Sequence, residues 1–339
     1  MKAVAYLQPL PIDHAEALLD ADLPEPEPSA RELRVRVAAV SVNPVDTKIR
    51  RGVPPAGGQP KVLGWDAVGV VDAVGEAVTL FKPGDRVWYA GDVTRPGSNA
   101  EWQCVDERIV GRAPATLSDA QAAALPLTAI TAWELLFERF GVTPQTRGTL
   151  LITGAAGGVG SILIQLARQL TALTVVATAS RPVTQAWVTE LGAHHVIDHR
   201  QPLAAQVQRL VDGGLIAPVT HAASLTHTEQ HWDQLIELLA PQGKLALIDD
   251  PASPLDVLQL KRKSLSLHWE LMFTRSLFHT ADMQAQHELL NRVAELVDAQ
   301  RVRSTLVEHF GTINAAHLKR AHAQIESGTT RGKIVLEGF

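Results

Sequence analysis

Residues Gly148 to Leu170 read GTLLITGAAGGVGSILIQLARQL. The apolar run Thr149–Thr153 has the length and composition of a buried strand. A glycine-rich turn, Gly154–Gly160, follows it, and then Ile162, Leu163, Leu166, Ala167 and Leu170 recur at helical spacing. Strand, glycine turn and helix in that order meet the needs of a dinucleotide pyrophosphate. Small residues let the backbone approach the phosphates, and a helix N-terminus offers N–H groups and partial positive charge. Ala155 stands where the common G-x-G-x-x-G pattern has its first glycine, while Gly157 and Gly160 keep the second and third.

An NAD-binding chain usually carries an acidic residue about twenty positions further on, for the ribose hydroxyl. Here the next strand, Leu173–Thr178, runs into Ala179-Ser180-Arg181 without a carboxylate. A hydroxyl beside a guanidinium suits a 2′-phosphate, because arginine forms paired charge-assisted bonds to its oxygens. This favours NADP (NADPH) over NAD, the competing reading being that Arg181 is a solvated loop residue.

The whole chain sets outer limits. Its 339 residues suffice for two domains. A formal charge of −5 gives no electrostatic footprint for nucleic acid or an anionic membrane. The single cysteine, Cys104, excludes an intramolecular disulfide and points to a reducing, cytoplasmic location. Met1-Lys2-Ala3-Val4 leads directly into a strand-like run, without the apolar core and cleavage site of a signal peptide. The most apolar stretch, Ala122–Phe137, is interrupted by Pro126 and Glu134, and no membrane span is expected.

Before the glycine turn the chain reads as β structure: Lys2–Leu7, Leu33–Val42, Ala67–Val74, Arg86–Tyr89 and Ala100–Val105, separated by turn signals such as Lys82-Pro83-Gly84-Asp85. Short strands so punctuated suggest a compact, partly closed barrel. Ser118, with Gln121 three residues later, makes a capping box for a helix at Ser118–Ala124. From Thr149 strands and helices alternate, so the fold class is α/β with a doubly wound parallel sheet. The alternation loosens after Asp250, and the last segment is expected to return to the barrel.

Three groups of residues carry a resemblance to a known family. The first is Ser41-Val42-Asn43-Pro44-Val45-Asp46-Thr47-Lys48 with Leu63-Gly64-Trp65-Asp66-Ala67-Val68-Gly69. The second is Lys82–Val87, Tyr89-Ala90-Gly91 and Pro96–Glu101. The third is Leu125–Ala129, the Gly154–Gly160 turn and Gly332-Lys333-Ile334-Val335-Leu336. Together they resemble the medium-chain dehydrogenase/reductases, in the quinone oxidoreductase branch and its zinc-type alcohol dehydrogenase-like group. The resemblance implies a GroES-like, partly open β-barrel catalytic domain at 1–125 and 263–339, split by a Rossmann NADP-binding domain at 126–262. It also implies NADPH use and a homodimer.

Zinc alcohol dehydrogenases take a Cys and a His from positions that are Asn43 and Trp65 here, and catalytic zinc needs three protein ligands. Asp66 alone does not make a site, and Cys104 cannot form a four-cysteine lobe. His194-His195 are neighbours before a strand and point apart. No metal site is expected. Without a Lewis acid, oxidation of simple alcohols is disfavoured, while hydride donation to a quinone or an α,β-unsaturated carbonyl remains feasible. Alternatives are a zinc-type alcohol dehydrogenase and a non-catalytic NADPH-binding protein.

Asn43 and Lys48 are the candidates for stabilising negative charge on the acceptor oxygen; Lys48 is alternatively a cofactor-phosphate contact. Asp46 is a candidate for orienting either, or caps a short helix at Asp46–Arg50. Ser98 and Asn99 belong either to a loop beside the cleft or to a structural turn. The resemblance further assigns Thr128 to the nicotinamide side and Gly157, Gly158 and Val159 to the pyrophosphate. By the same token Ser180 and Arg181 would read the 2′-phosphate, His199 the adenosine, and Lys333 the nicotinamide end. Arg275 is read as lining the substrate mouth or as a dimer-surface residue.

Overall fold

One long strand, Glu32–Val42, collects most of the first unit's pairing, because its alternating Leu33, Val35, Val37 and Ala39 are all buried. The computed structural model describes every residue from Met1 to Phe339 and resolves two compact units: Met1–Ile130 with Phe273–Phe339, and Thr131–Met272. In chain order the first part holds β1 (Lys2–Tyr6), β2 (Leu19–Asp22), β3 (Glu32–Val42), α1 (Pro44–Gly52), β4 (Lys61–Val62), β5 (Ala67–Val74), β6 (Arg86–Tyr89), β7 (Trp102–Asp106) and β8 (Val110–Arg112). Helix α2 (Asp119–Ala123) starts at Ser118, whose hydroxyl accepts the Gln121 N–H at 3.2 Å while Gln121 returns the bond to the Ser118 N–H. Helix α3 (Pro126–Trp133) begins on a proline, placed where a missing N–H costs nothing, and passes into a π-helical segment, Glu134–Arg139.

The second unit continues with β9 (Thr149–Thr153), α4 (Gly158–Leu170), β10 (Thr174–Thr178), α5 (Pro182–Glu190), β11 (His195–Ile197), α6 (Leu203–Asp212), β12 (Val219–Ser224), α7 (Thr228–Leu238), β13 (Leu239–Leu247) and β14 (Ser266–Trp269). These six strands form one parallel sheet in the order β11-β10-β9-β12-β13-β14. The order reverses between β9 and β12, which opens a crevice at the strands' carboxyl ends. Leu151, Val176, Trp232, Leu235, Leu245 and Leu247 pack its core; full burial of each such side chain contributes about 1.5–3 kcal/mol.

Strand β14 corrects a boundary. The sequence places residues from 263 onward in the barrel domain, yet Ser266–Trp269 pairs in parallel with Lys244–Leu247. The crossover before it is a short 3-10 segment, Val257–Lys263, rather than an amphipathic helix, so the helical period that marks a βαβ unit is absent there.

The chain then returns to the first unit through α8 (Thr274–Phe278), α9 (Gln284–Asp298), β15 (Leu306–His309), α10 (Ala315–Glu326) and β16 (Lys333–Glu337). The sheet order is β15-β16-β3-β5-β6-β8, with β7 also on β3. Antiparallel register sets Ile334 opposite Val42, and Val40 opposite Ala67, which brings Lys333, Asn43 and Asp66 to one end of three adjacent strands. One helical stretch, Asp119–Arg139, is long and apolar enough to cross a membrane by length and composition; its side chains are mostly buried inside the protein.

Candidate active site

The glycine turn is built from the end of β9. Gly154 has φ of +65°, a left-handed conformation, so Gly154 makes the sharp turn that the pattern assigns to position 155. A Cβ on Gly154 would lie 2.9 Å from Thr226 Cγ2, and one on Gly160 would lie 2.4 Å from the Ala155 carbonyl oxygen. Gly160 therefore permits close backbone approach, and Gly154 admits the Thr226 side chain. Gly157 N–H donates to the Gly154 carbonyl at 3.1 Å, and Ser161 N–H to the Gly157 carbonyl at 2.9 Å. The N–H groups of Gly158, Val159 and Gly160 open α4 and have no helical carbonyl ahead of them, which is an anion cradle. These residues fit a dinucleotide pyrophosphate.

Ser180 and Arg181 sit between β10 and α5, Ser180 half-buried and Arg181 exposed. Arg200 donates to the Ser180 carbonyl at 2.7 Å and clasps Asp198 at 2.8 Å, which holds the Asp198 carboxyl down at about 2. The carboxylate following β11 is thus already paired. Sequence reasoning missed a buried chain at the neighbouring strand ends. Ser224 Oγ lies 2.8 Å from Thr228 Oγ1, and the Thr228 hydroxyl and N–H donate to Asp249 at 2.6 and 3.0 Å. Only its position after β12 and β13 could have signalled it. His194 accepts the Val175 N–H at 2.8 Å.

In the first unit, Lys333 Nζ donates to Asp66 Oδ2 at 2.9 Å, to the Val42 carbonyl at 3.2 Å and to Asn43 Oδ1. Asn43 Nδ2 donates to Asp66 Oδ2 at 3.1 Å, and the Leu127 N–H donates to Asp66 Oδ1 at 2.9 Å. All three side chains are buried, Asp66 completely. Burial drives the Asp66 carboxyl upward and the Lys333 ammonium is the main counterweight. Asp46, at the third position of α1, accepts the Asn43 N–H at 2.7 Å; burial raises its carboxyl to about 7, against the pull of that N–H and then of Lys333. The helix is longer than the Asp46–Arg50 segment expected from the sequence, and Asn43 is its N-cap.

The sequence candidates therefore divide. Asn43, Asp46 and Lys333 come together around Asp66, so the Asn43 amide and the Lys333 ammonium are engaged inside the fold, whereas Lys48 is exposed on α1. Thr128 is buried and its hydroxyl donates to the Leu125 carbonyl at 3.0 Å. Ser98 and Asn99 are buried against Gly64, where φ is +113° and a Cβ would fall 2.6 Å from Ser98 Oγ. Arg275 is buried and bonded to Asp282 at 3.0 Å, which removes the surface reading. Trp65 is fully buried, its Nε1 donating to the Asp92 carbonyl at 3.0 Å.

Two family profiles match the chain: "Alcohol dehydrogenase GroES-like domain" over residues 29–119 and "Zinc-binding dehydrogenase" over 191–336. A zinc-type alcohol dehydrogenase-like protein of Staphylococcus epidermidis is 37% identical over 99% of both chains. The chain belongs to the medium-chain dehydrogenase/reductase superfamily. A quinone oxidoreductase of Pseudomonas aeruginosa is 32% identical over 95% of both chains. Among solved structures, a putative zinc-dependent alcohol dehydrogenase protein from Rhizobium etli is 55% identical, with a TM-score of 0.96 over 100% of this chain and 98% of that one. A mycobacterial structure complexed with NADPH is 26% identical, with a TM-score of 0.83 over 99% of each chain. The GroES-like and Rossmann folds expected from the resemblance are those of the superfamily, and the chain is one of its oxidoreductases.

Membership raises the question of zinc, and the donor set answers it. Catalytic zinc takes three protein ligands of the Cys, His or carboxylate kind. This medium-chain dehydrogenase/reductase presents Asn43, Trp65 and Asp66, and the Asp66 carboxylate faces the Lys333 ammonium. Nowhere do three or more His, Cys, Asp or Glu side chains gather as a metal would need. The residues do not fit a zinc ion.

Proposed function

We propose that the chain is a zinc-independent, NADPH-dependent reductase that transfers hydride to a quinone or an α,β-unsaturated carbonyl compound. The observation that carries this reading is the Asp66–Lys333 pair, bridged by Asn43, at the place where a metal-dependent relative would need ligands. With no Lewis acid there, an acceptor that is already electrophilic is the substrate class the site favours.

Gly157, Gly158 and Val159 would hold the pyrophosphate, Ser180 and Arg181 the 2′-phosphate, and His199 the adenosine. Thr128, in the first turn of α3, would face the nicotinamide side. Bound NADPH supplies the hydride. Within the first unit, Asp66 and Lys333 fix the Asn43 amide, and the Asp46 carboxyl holds a proton up to about pH 7. Lys48, an exposed cation of α1, would meet an acceptor oxygen or a cofactor phosphate. Its ammonium would offset the negative charge that hydride arrival places on that oxygen. We further assign the protein to the cytoplasm, on its single cysteine, and to a homodimer.

The test is a screen of quinones, enones and aldehydes against NADPH and NADH, with metal analysis of the same preparation. NADPH oxidation driven by quinones or enones at sub-stoichiometric zinc is the expected result. One tightly held zinc per chain, lost together with activity, overturns it. Tight NADPH binding with no acceptor turned over establishes a binding protein instead.

A further inference from the structure

The parallel sheet delivers three cation-forming side chains to one rim. Arg181 follows β10, His199 follows β11 and His227 follows β12, and the carboxyl ends of parallel strands open on the same side. The loop after β12 reaches the glycine turn directly, since the missing Cβ of Gly154 is what admits Thr226, and Thr226 Oγ1 lies 2.8 Å from His227 Nδ1. His227 is held in a left-handed conformation, φ +52°, which is unusual for a side chain with a Cβ. Both His199 and His227 are exposed, so each is open to a ligand. His231, one turn into α7, is half-buried, and its Nδ1 has no partner.

We propose that His227 and His199 form a protonatable wall at the adenosine end of the cleft, so that a 2′-phosphorylated adenosine is bound together with a proton. This rests on the NADP reading above and goes beyond it by naming His227 and by making the cofactor choice depend on pH. The charges around the wall are few. Asp198, Arg200, Arg181 and His227 act on His199; His199, His227 and Glu229 act on His231; Asp249 is held by Thr228 beside them. Partial desolvation of their rings comes first in holding His199 and His231 below the ordinary imidazole value, so without an anion they are neutral near pH 7. A dianionic phosphate beside His199 reverses that balance and draws a proton onto its ring. A 5′-phosphate alone, seated on the glycine turn, lacks this partner.

The sign of the proton exchange tests the wall. A phosphate monoester, with its second pKa near 6, loses a proton when fixed cations bind it; net uptake therefore requires the imidazoles. The full-length protein is titrated calorimetrically with 2′,5′-ADP and with 5′-AMP, in buffers of different ionisation heat. Near pH 7 the expected excess uptake for 2′,5′-ADP is on the order of half a proton. Its preference over 5′-AMP should rise about three- to tenfold between about pH 8.5 and about pH 6.5. His227→Gln and His199→Gln, checked for folding by circular dichroism, should each reduce both quantities. A constant preference for 2′,5′-ADP without proton uptake overturns the wall and leaves the NADP reading intact. Equal affinity for the two probes at about pH 8.5, unchanged in Arg181→Ala, overturns the NADP reading itself.

Discussion

The Lys333 ammonium lies 2.9 Å from the Asp66 carboxylate, and both are buried, with relative side-chain exposures of 3% and 0%. A buried ion pair is stable only while both members remain, because either charge alone has lost its water without compensation. Lys333→Met should therefore destabilise the protein by about 3–5 kcal/mol, and Asp66→Asn added to it should recover part of the loss. Chemical denaturation of the parent, both single variants and the double variant measures this. A Lys333→Met protein as stable as the parent would remove the pair from the folding energetics.

Asp46 should make stability fall as pH rises from about 4 to about 7. Its carboxyl is raised by burial from 3.8 to about 7. Below the lower value it is neutral in both states; between the two, the unfolded chain ionises while the folded one keeps its proton. The native state thus loses stability as pH rises through this window. Asn at position 46 can still accept the Asn43 N–H, so Asp46→Asn should gain on the parent across the window and hold its advantage above it. Urea midpoints at a series of pH values would read the difference; parallel curves for the two proteins would exclude Asp46 as the cause.

His322 works in the opposite direction. It is fully buried in α10, neither ring nitrogen has a partner, and burial, seconded by Arg50, depresses its imidazole from 6.5 to about 3. A depressed value gives stability that is present above pH 6.5 and is lost as pH falls towards 3. His322→Leu should leave the neutral-pH melting temperature little changed and raise it in acid. Melting curves at both pH values decide, and an equal effect at each would locate the change in packing alone.

Arg181→Ala should weaken NADPH about ten- to hundredfold while sparing NADH, on a contribution of roughly 1.5–3 kcal/mol for a charge-assisted bond. Equal losses for the two cofactors, measured by fluorescence titration, would take Arg181 out of phosphate recognition.

The proposed homodimer has a candidate face. Strand β14 pairs on one side only, and beside its open edge Trp269 and Leu271 are 54% and 52% exposed. Trp269→Glu should shift the protein to a monomer in light scattering behind size exclusion. An unchanged mass would direct the search for the interface elsewhere.

Much of this was legible in the linear chain because it is local. Strand, glycine turn and helix occupy one run from Thr149 to Leu170, and the missing carboxylate after β10 is read a few residues later. The absent Cys and His ligands are likewise visible in the identities of Asn43 and Trp65. Short strands such as β2 and β4 went unseen, since four and two residues carry too little periodicity. By itself, the sequence determined the two-domain α/β plan and the glycine cradle. Tertiary structure alone decided that Lys333 neutralises Asp66 across 267 positions of chain and clasps Asn43 across 290. The physical reason is that antiparallel register between β16 and β3, together with burial, selects a lysine's partner, and neither is a property of neighbours in sequence.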